Sequence, residues 1–324
     1  SRYFDRISRP EHLLTALPRA FRTLTDPADC GPVTLAFCQD TQSEAYDYPE
    51  SFFAPKTWRL RRPAPDEAEL AAAVAALKEA RHPVIVAGGG VFFSDACDDL
   101  RDFAHKHEIP VVETQAGKSA LPADDKMAFG PVGVTGGAAA NALCEKADLV
   151  LAVGTRLQDF TTGSWSLFNR AAPIVALNVQ AYDSHKHGAL SLVADARVGL
   201  AALSAALGEY RGDTPPQGLR DDWMAEVAKV TAPPTGDNQL PTDMQVVGAV
   251  QRAARPETTV LCAAGTMPGE LHKLWQASGP GGYHMEYGFS CMGYEIAGAI
   301  GAKMADPSRD IICFTGDGTY LMAN

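Results

Sequence analysis

Short apolar runs alternate with helical patterns through the middle of the chain, between about residues 60 and 210. The apolar runs predict strands at 83–87, 110–112, 148–153 and 173–178, and the helical patterns predict helices at 66–80, 94–105, 138–146 and 197–207. Regular alternation of the two kinds of element favours a parallel sheet with helices on both faces. We therefore predict an α/β protein whose residues 60–210 form a doubly wound, Rossmann-like central domain.

The first 50 residues contain too few apolar segments to form the core of a domain. Pro10 opens a helix that places Leu13, Leu17 and Phe21 on one face, and a short apolar strand follows over residues 32–37. One helix and one strand cannot bury their apolar faces alone. We therefore interpret residues 1–50 as the tail of a preceding domain and a connector.

Residues 211–240 contain several prolines around one modest helix, so they are predicted to be a linker. Thr242 and Gln245 then form a capping-box pattern that starts the first helix of a last region, residues 241–324. In that region strand, loop and helix recur, with small residues where each strand ends. Doubly wound folds build ligand crevices at such strand ends.

The last predicted strand, residues 311–314, leads into Gly316-Asp317-Gly318. A carboxylate at the carboxyl end of a buried strand is well placed to hold Mg²⁺, which prefers oxygen ligands and usually bridges a carboxylate to a phosphate. The N–H groups of Gly318 and Thr319 would meet phosphate oxygens. The alternative is a tight surface turn with a solvated aspartate, which a three-residue motif alone leaves open.

Two further segments make the motif more specific. A strand near residue 261 ends in a small-residue loop at 263–267, and residues 284–293 lead into a helix rich in small residues. In this order the segments resemble the first half of the diphosphate-binding domain of thiamine diphosphate (ThDP) enzymes of the acetohydroxyacid synthase type. The resemblance implies ThDP and Mg²⁺ as cofactors, with Asp317 as metal ligand. It implies cofactor contacts from Gly265, Thr266, Met267, Ser290, Met292, Asp317, Gly318 and Thr319.

Met292 has two interpretations. A methionine that enters a small-residue helix is usually a core filler. In the ThDP family a bulky apolar residue at this place wedges between the two rings of the cofactor and bends it, which brings its amino group to the reactive carbon. The flanking Ser290 and Gly293 match the family motif, so we favour the second interpretation.

Other stretches resemble one branch of the family, the hydrolases that open a cyclic 1,2-dione in myo-inositol breakdown. The similarity is carried by residues 39–49, 154–165, 177–181 and 316–322. It implies that the cofactor attacks a ring carbonyl, acts as electron sink while the adjacent C–C bond breaks, and releases an open-chain deoxy-uronic acid to water. It also implies a homodimer or homotetramer. The alternative is a 2-oxoacid-handling ThDP lyase or transferase, such as an acetohydroxyacid synthase.

Two functional residues of the family have no counterpart in these 324 residues. The activating glutamate of the pyrimidine-binding domain matches nothing in residues 1–50. The second metal ligand, an asparagine well beyond the Gly-Asp-Gly turn, is not matched by Asn324, which lies too close to Asp317. We therefore assign no catalytic residue, and expect that this chain is an internal fragment that binds ThDP weakly and is inactive alone.

The glycines at 88–90 suggest a dinucleotide site, with Glu113 as the group that would bind a ribose hydroxyl. The sixth position of that fingerprint is Phe93, where close helix packing requires Gly or Ala. A non-catalytic nucleotide-binding module built on this domain is therefore a weaker alternative. In acetohydroxyacid synthases the equivalent domain holds FAD, but residues 115–119 depart from the synthase pattern, so FAD is not favoured.

The histidines divide into two groups. His105, His107, His185 and His187 alternate along polar segments and are interpreted as solvated surface residues, because no carboxylate or cysteine stands at metal-ligand spacing. His272 and His284 are expected beside the cofactor crevice. His284 is the better candidate for a substrate contact, although packing roles are open for both.

The composition of the chain disfavours several classes of binding partner. A net charge of −11 without a basic run disfavours nucleic acid and anionic membranes. Seven cysteines without CxxC spacing disfavour zinc and suit a reducing cytosol. No apolar run reaches membrane-spanning length, so we predict a cytoplasmic protein that acts on a small molecule.

Overall fold

A computed structural model describes residues 1–236, 240–286 and 288–323. The strands are β1 Tyr3–Ile7, β2 Val33–Phe37, β3 Pro83–Ala87, β4 Val111–Glu113, β5 Ala128–Pro131, β6 Leu149–Val153, β7 Ile174–Asn178, β8 Leu190–Val193, β9 Thr259–Cys262, β10 Tyr283–Met285 and β11 Ile311–Cys313. The helices are α1 Leu13–Leu24, α2 Glu67–Glu79, α3 Gly90–Phe93, α4 Cys97–His107, α5 Ala138–Lys146, α6 Asp159–Thr162, α7 Ala181–Ser184, α8 Ala196–Leu207, α9 Gln217–Val230, α10 Asp243–Ala253, α11 Met267–Leu274, α12 Tyr294–Ala305 and α13 Asp317–Ala323.

The central sheet has six parallel strands in the order β5-β4-β3-β6-β7-β8. The chain runs outward from β3 to one edge, returns to β6 beside β3, and continues to the other edge. This is the strand order of a Rossmann-type sheet, with its topological switch point between β3 and β6. The prediction of a doubly wound α/β fold is therefore confirmed.

Helices cover both faces of this sheet, and the apolar sequences of its inner strands follow from that. Every residue of β3 and of β6 is buried. Alternate side chains of β3 point to opposite faces, so Ile85 packs with α2, α4 and α8, while Val84 and Val86 pack with α5. Strands covered on both faces need apolar residues at every position.

A second parallel sheet has the order β10-β9-β11. Its middle strand β9 is buried throughout, and Val260 and Cys262 pack against Val247 of α10 and Leu271 of α11. Because all three strands are parallel, the loops that follow them meet at one edge. The capping box predicted for Thr242 and Gln245 is present at the start of α10.

The amino-terminal segment forms a smaller unit. Strand β1 pairs in parallel with β2, and α1 packs on both strands. Phe4, Phe21 and Phe37 remain substantially exposed on this unit.

Several elements depart from the sequence-based expectations. Strands β1, β5, β8 and β10 were not predicted; β5, β8 and β10 lie at sheet edges, where one-sided pairing places less demand on a continuous apolar run. The helix predicted over 94–105 begins later, at Cys97, and Ser94 lies outside it. The Ser94 hydroxyl instead accepts the N–H of Ala196 (3.2 Å).

The segment predicted as a linker contains the ordered helix α9. Trp223 of this helix is buried beside β5, where a side chain at Gly130 would collide with the indole ring at 2.7 Å. Trp223 and Val227 share one apolar cluster with Val260 and Leu271 of the second sheet. The helix therefore contributes to the core of the carboxyl-terminal region, while the domain boundaries proposed from sequence stay predictions.

Candidate functional site

The predicted cofactor segments converge at the carboxyl edge of the β10-β9-β11 sheet. Residues 263–266 follow β9, residue 286 and residues 288–293 follow β10, and residues 314–316 follow β11. The topology thus brings together three loops that are far apart in the chain. A crevice outside the carboxyl ends of parallel strands is where open α/β sheets bind ligands.

Glu295 joins two of these loops. It lies in the first turn of α12 and is fully buried. Its Oε1 accepts the N–H of Ala264 (2.9 Å), and its Oε2 accepts the N–H of Gly293 (3.1 Å). The carboxylate therefore holds the loop after β9 against the loop that carries Met292. Sequence reasoning missed this residue, because an acidic residue in the first helical turn is usually a solvated partner of the helix dipole.

Glu286 organises the loop after β10 in a similar way. Its two carboxylate oxygens accept the N–H groups of Phe289 (3.0 Å) and Cys291 (2.7 Å). Burial alone would raise the pKa of Glu286, but these backbone hydrogen bonds outweigh it and lower the pKa. The loop consequently presents Phe289, which is 91% exposed, and Ser290, whose φ of +50° lies in the left-handed region.

Met292 is half exposed, and its role as core filler or wedge stays a prediction. A methyl group built at Gly318 would lie 3.8 Å from Met292 Cε, an ordinary van der Waals distance. The thioether and the Gly-Asp-Gly turn therefore face each other at the sheet edge. This leaves the Met292 side chain available for a ligand, as the wedge interpretation requires.

Asp317 is exposed at the start of α13, after the short loop that follows β11. Its Oδ1 accepts the N–H of Gly318 (2.8 Å), and among the described residues no cation forms an ion pair with it. One accessible carboxylate beside the predicted phosphate contacts fits Mg²⁺, which commonly takes one or two carboxylates and completes its shell with phosphate and water. Thr319 is buried, so any phosphate contact would use its backbone N–H.

The glycines near this edge leave room for a ligand. A Cβ at Gly265 or Gly316 would have no neighbouring atom within 4 Å, and Gly265 has a φ of +89° that favours glycine. Thr266 stands next to Gly265 before α11, while Met267 begins α11 and packs against the core. Of the expected contacts, Thr319 is buried and Met267 is partly buried, while the other six are exposed.

The glycines at 88–90 of the central domain lie in a closely packed loop, unlike the glycines with open space around them. A Cβ at Gly88 would lie 2.4 Å from the carbonyl oxygen of Gly154, and one at Gly90 would lie 2.6 Å from Gly154 Cα. The N–H of Gly90 also donates to the Gly154 carbonyl (2.9 Å). Close packing of two loops at the switch point thus explains these glycines, although it does not test nucleotide binding there.

Glu113 is not placed to bind a ribose hydroxyl. Its side chain is buried, and its Oε1 accepts the N–H of Leu121 (3.4 Å). Burial raises the pKa of Glu113, while the positive charge of nearby Lys118 acts in the opposite direction. Burial likewise lowers the pKa of Lys118 to about 8, against the attraction of Glu113. Glu113 and Lys118 are both buried, so neither side chain is presented to a ligand at the surface.

Of the four histidines predicted to be solvated, three are exposed and one is buried. His105, His185 and His187 are exposed, as predicted. The prediction is wrong for His107, which is fully buried; its Nδ1 lies 2.7 Å from the Tyr210 carbonyl oxygen. Tyr210 covers this ring in the folded protein. The sequence pattern along α4 does not indicate that contact.

His272 and His284 have different environments. His284 is exposed, and its Nε2 lies 2.6 Å from the Tyr294 hydroxyl. His272 is fully buried, with Nδ1 2.9 Å from the Thr135 hydroxyl and Nε2 3.3 Å from the Glu113 carbonyl oxygen. Burial, assisted by the charge of Lys118, lowers the pKa of His272 to about 3. The neutral ring therefore donates from Nε2 and accepts at Nδ1, which makes it a structural bridge between the domains.

A second bridge uses Gln115. The Tyr283 hydroxyl donates to the Gln115 Oε1 (2.6 Å), and the Gln115 Nε2 donates to the Pro268 carbonyl (3.2 Å). These bonds connect the loop after β4 with β10 and α11. These hydrogen bonds therefore fix the position of the central domain relative to the predicted cofactor edge, which is the carboxyl edge of the β10-β9-β11 sheet.

A cleft of about 610 Å³ lies between the two sheets. One wall carries residues 158–160 of the central domain, and the other carries Gly265, Phe289 and Ser290 of the predicted cofactor edge. A cavity of this size matches a typical small-molecule site.

Two negative findings concern the described part of the chain. Within residues 1–236, 240–286 and 288–323, no three His, Cys, Asp or Glu side chains group as a metal site. No helix over the same ranges is long and apolar enough to span a membrane. Asn324, discussed above as a metal ligand, lies outside the described residues.

Comparison with protein families matches the central domain and most of the carboxyl-terminal region. Residues 70–203 match the thiamine pyrophosphate enzyme central domain. Residues 263–324 match the thiamine pyrophosphate enzyme C-terminal TPP-binding domain. The second match contains every residue expected to contact the cofactor.

Curated relatives are similar along nearly the whole chain. A 3D-(3,5/4)-trihydroxycyclohexane-1,2-dione hydrolase of Geobacillus thermodenitrificans (strain NG80-2) is 40% identical over 99% of this chain and 54% of its own length. Relatives of the same name from Bacillus cereus (strain AH820) and Bacillus anthracis (strain CDC 684 / NRRL 3495) are also 40% identical, with the same coverage. The chain thus spans about half the length of these relatives. It belongs to the thiamine pyrophosphate enzymes and contains the central domain and cofactor-binding sequence of that family.

Proposed function

We propose that the protein carrying this chain is a ThDP- and Mg²⁺-dependent hydrolase that opens the ring of trihydroxycyclohexane-1,2-dione to 5-deoxy-glucuronic acid in myo-inositol degradation. The observation that carries the proposal is the convergence of Gly265, Met292 and Asp317 at one sheet edge, in a chain 40% identical to dione hydrolases over 99% of its length. Bound ThDP would supply a nucleophilic carbon and an electron sink for breaking the C–C bond beside a carbonyl.

The residues of this chain would bind and orient the cofactor. Asp317 would hold the Mg²⁺ that bridges to the diphosphate, and the N–H groups at Gly318 and Thr319 would face phosphate oxygens. Gly265 leaves room for close approach, and Met292 would support the bent form of the cofactor. Glu295 would keep the loops of Gly265 and Met292 at a constant separation, because it bonds to both of them.

The charge of the cleft favours a neutral substrate. Among the described residues that line it, Asp159 carries the one ionised side chain, and the other polar groups are amides and hydroxyls. A carboxylate at this wall repels a 2-oxoacid and suits the hydroxyl groups of a cyclic polyol. This is the feature that favours a dione over the acetohydroxyacid synthase alternative.

The test uses the complete protein that carries this chain, assayed with ThDP and Mg²⁺. We expect conversion of the trihydroxylated dione to the open-chain acid, loss of activity with EDTA, and no consumption of pyruvate. Pyruvate consumption together with a flavin absorbance would establish the synthase alternative. Ligand binding at Gly88–Gly90 with none at Asp317, measured by calorimetry on matched substitutions, would establish the nucleotide-binding module.

The assembly and location follow the same proposal. We propose a homodimer or homotetramer in the cytoplasm, where reducing conditions suit seven free cysteines. Sedimentation of the complete protein would measure the assembly, and a monomer that is fully active would contradict it.

A further inference from the structure

The wall of the cleft opposite the cofactor edge has a polar surface with no role in the fold. The side chains of Gln158 and Asp159 are exposed, and neither makes a hydrogen bond or an ion pair within the described part of the chain. They line the same cleft as Gly265 and Ser290. A ligand that spans the cleft would therefore lie between the predicted cofactor edge and these two side chains.

The backbone that carries this surface is held in place. The N–H of Val134 donates to the Phe160 carbonyl (2.8 Å), and the N–H of Leu157 donates to the Thr155 hydroxyl (3.2 Å). Leu157 is buried and has a φ of +44°, which is unfavourable for a side chain of its size. The surrounding structure thus imposes a strained conformation that presents residues 158–160 to the cleft.

A glycine permits the approach of this segment. A Cβ at Gly133 would lie 2.2 Å from the Phe160 carbonyl oxygen, and Gly133 itself has a φ of +116°. No other residue type fits this position without moving the segment. The backbone position of Gln158 and Asp159 is consequently fixed by the packing of residue 160 against Gly133, and side-chain contacts of Gln158 and Asp159 do not contribute to it.

The chemistry of the surface matches a ring that carries several hydroxyl groups. A carboxylate accepts hydrogen bonds from two hydroxyls, and a primary amide both donates and accepts. Phe160, which is 57% exposed, also lines the cleft and adds aromatic surface beside them. The cleft thereby combines polar groups for the hydroxyls with an apolar surface, as small-molecule sites generally do.

We infer that Gln158 and Asp159 determine substrate specificity by binding the ring hydroxyl groups of a neutral cyclic polyol while its reacting carbonyl faces the cofactor edge. This inference rests on the proposed function and adds to it the residues that select the substrate. The two side chains act on substrate choice and have no part in cofactor binding, because the predicted cofactor contacts that line this cleft, Gly265 and Ser290, lie on the opposite wall.

The experiment compares two substrates in the complete protein with ThDP and Mg²⁺: the trihydroxylated dione and cyclohexane-1,2-dione, which lacks the hydroxyls. Asp159→Asn and Gln158→Leu are expected to reduce kcat/KM for the trihydroxylated dione by roughly 10- to 100-fold, the effect of losing a hydrogen bond to a substrate hydroxyl. Turnover of cyclohexane-1,2-dione should stay within about twofold. ThDP affinity, measured by fluorescence titration, and the melting temperature should be unchanged.

Asp124→Asn is the matched control, because Asp124 is an exposed aspartate of the same domain that does not line the cleft. If Asp159→Asn and Gln158→Leu both keep the wild-type preference for the hydroxylated substrate, the inference is overturned and the proposed function stays intact. Equal loss with both substrates would also overturn it, since that indicates general damage. A wild-type protein that opens neither ring would refute the proposed function and the inference together.

Discussion

Oε1 of Glu295 accepts the backbone N–H of Ala264 over 2.9 Å, which ties the first turn of α12 to the loop that follows β9. The second oxygen of the same carboxylate accepts the N–H of Gly293. Both donors stand next to predicted cofactor contacts, Gly265 and Met292. One buried side chain therefore sets the spacing of two loops that a single cofactor would have to span.

Removal of this carboxylate should destabilise the protein. Glu295→Ala leaves two partly buried N–H groups without acceptors, and we expect a loss of about 2–4 kcal/mol in the free energy of unfolding. Glu295→Gln should cost less, because one oxygen remains and only one N–H faces an amide nitrogen. Denaturant unfolding measures both values. Glu67→Gln, at an exposed first-turn position of α2, is the control and should change little.

Substitution of Asp317 should weaken cofactor binding without unfolding the protein. Asp317→Asn is expected to reduce the apparent affinity for ThDP in the presence of Mg²⁺ by about 100-fold, since a metal–carboxylate contact contributes several kcal/mol. The exposed position of Asp317 predicts an unchanged melting temperature. Calorimetric titration of the complete protein, with Asp221→Asn as control, tests this. Normal Mg²⁺-dependent binding by Asp317→Asn would contradict the metal assignment.

Shortening of Met292 should affect turnover more than binding. Met292→Ala is expected to lower kcat by about 100-fold, the order of effect that follows from misplacing reacting groups by an ångström. Met292→Leu should keep most of the activity because it preserves the bulk. Met304→Ala, at the other end of α12 and 76% exposed, is the matched control. Steady-state kinetics that find Met292→Ala equal to wild type would return Met292 to a packing role.

The buried ring of His272 should make stability depend on pH. Its folded pKa of about 3 lies below the value of 6.5 for an exposed histidine, so between these values the unfolded state binds the extra proton. Stability should therefore fall as the pH drops from about 6.5 towards 3, with a slope of up to ~1.4 kcal/mol per pH unit from this group. Unfolding of His272→Gln across this range should give a shallower slope than wild type, whereas His185→Gln should not.

Local pattern accounts for much of the architecture. The fully apolar β3 and β6 could be predicted because strands covered on both faces need apolar residues throughout, and the capping box of α10 is a local interaction. The edge strand β8 was missed because its residues are only partly buried and alternate weakly. His107 was misassigned since the residue that covers it, Tyr210, lies 103 residues away.

The sequence alone determined the order of strands and loops that places small residues, a methionine and one aspartate at strand ends, because these are short-range features. Tertiary structure decided which of the glycines are packing contacts and which leave open space, and it decided that Glu295 is buried while Asp317 is exposed. It also created the cleft, since Gln115 and Tyr283 meet across 168 residues of chain. Contacts at such separation depend on how the two sheets pack, which no local periodicity records.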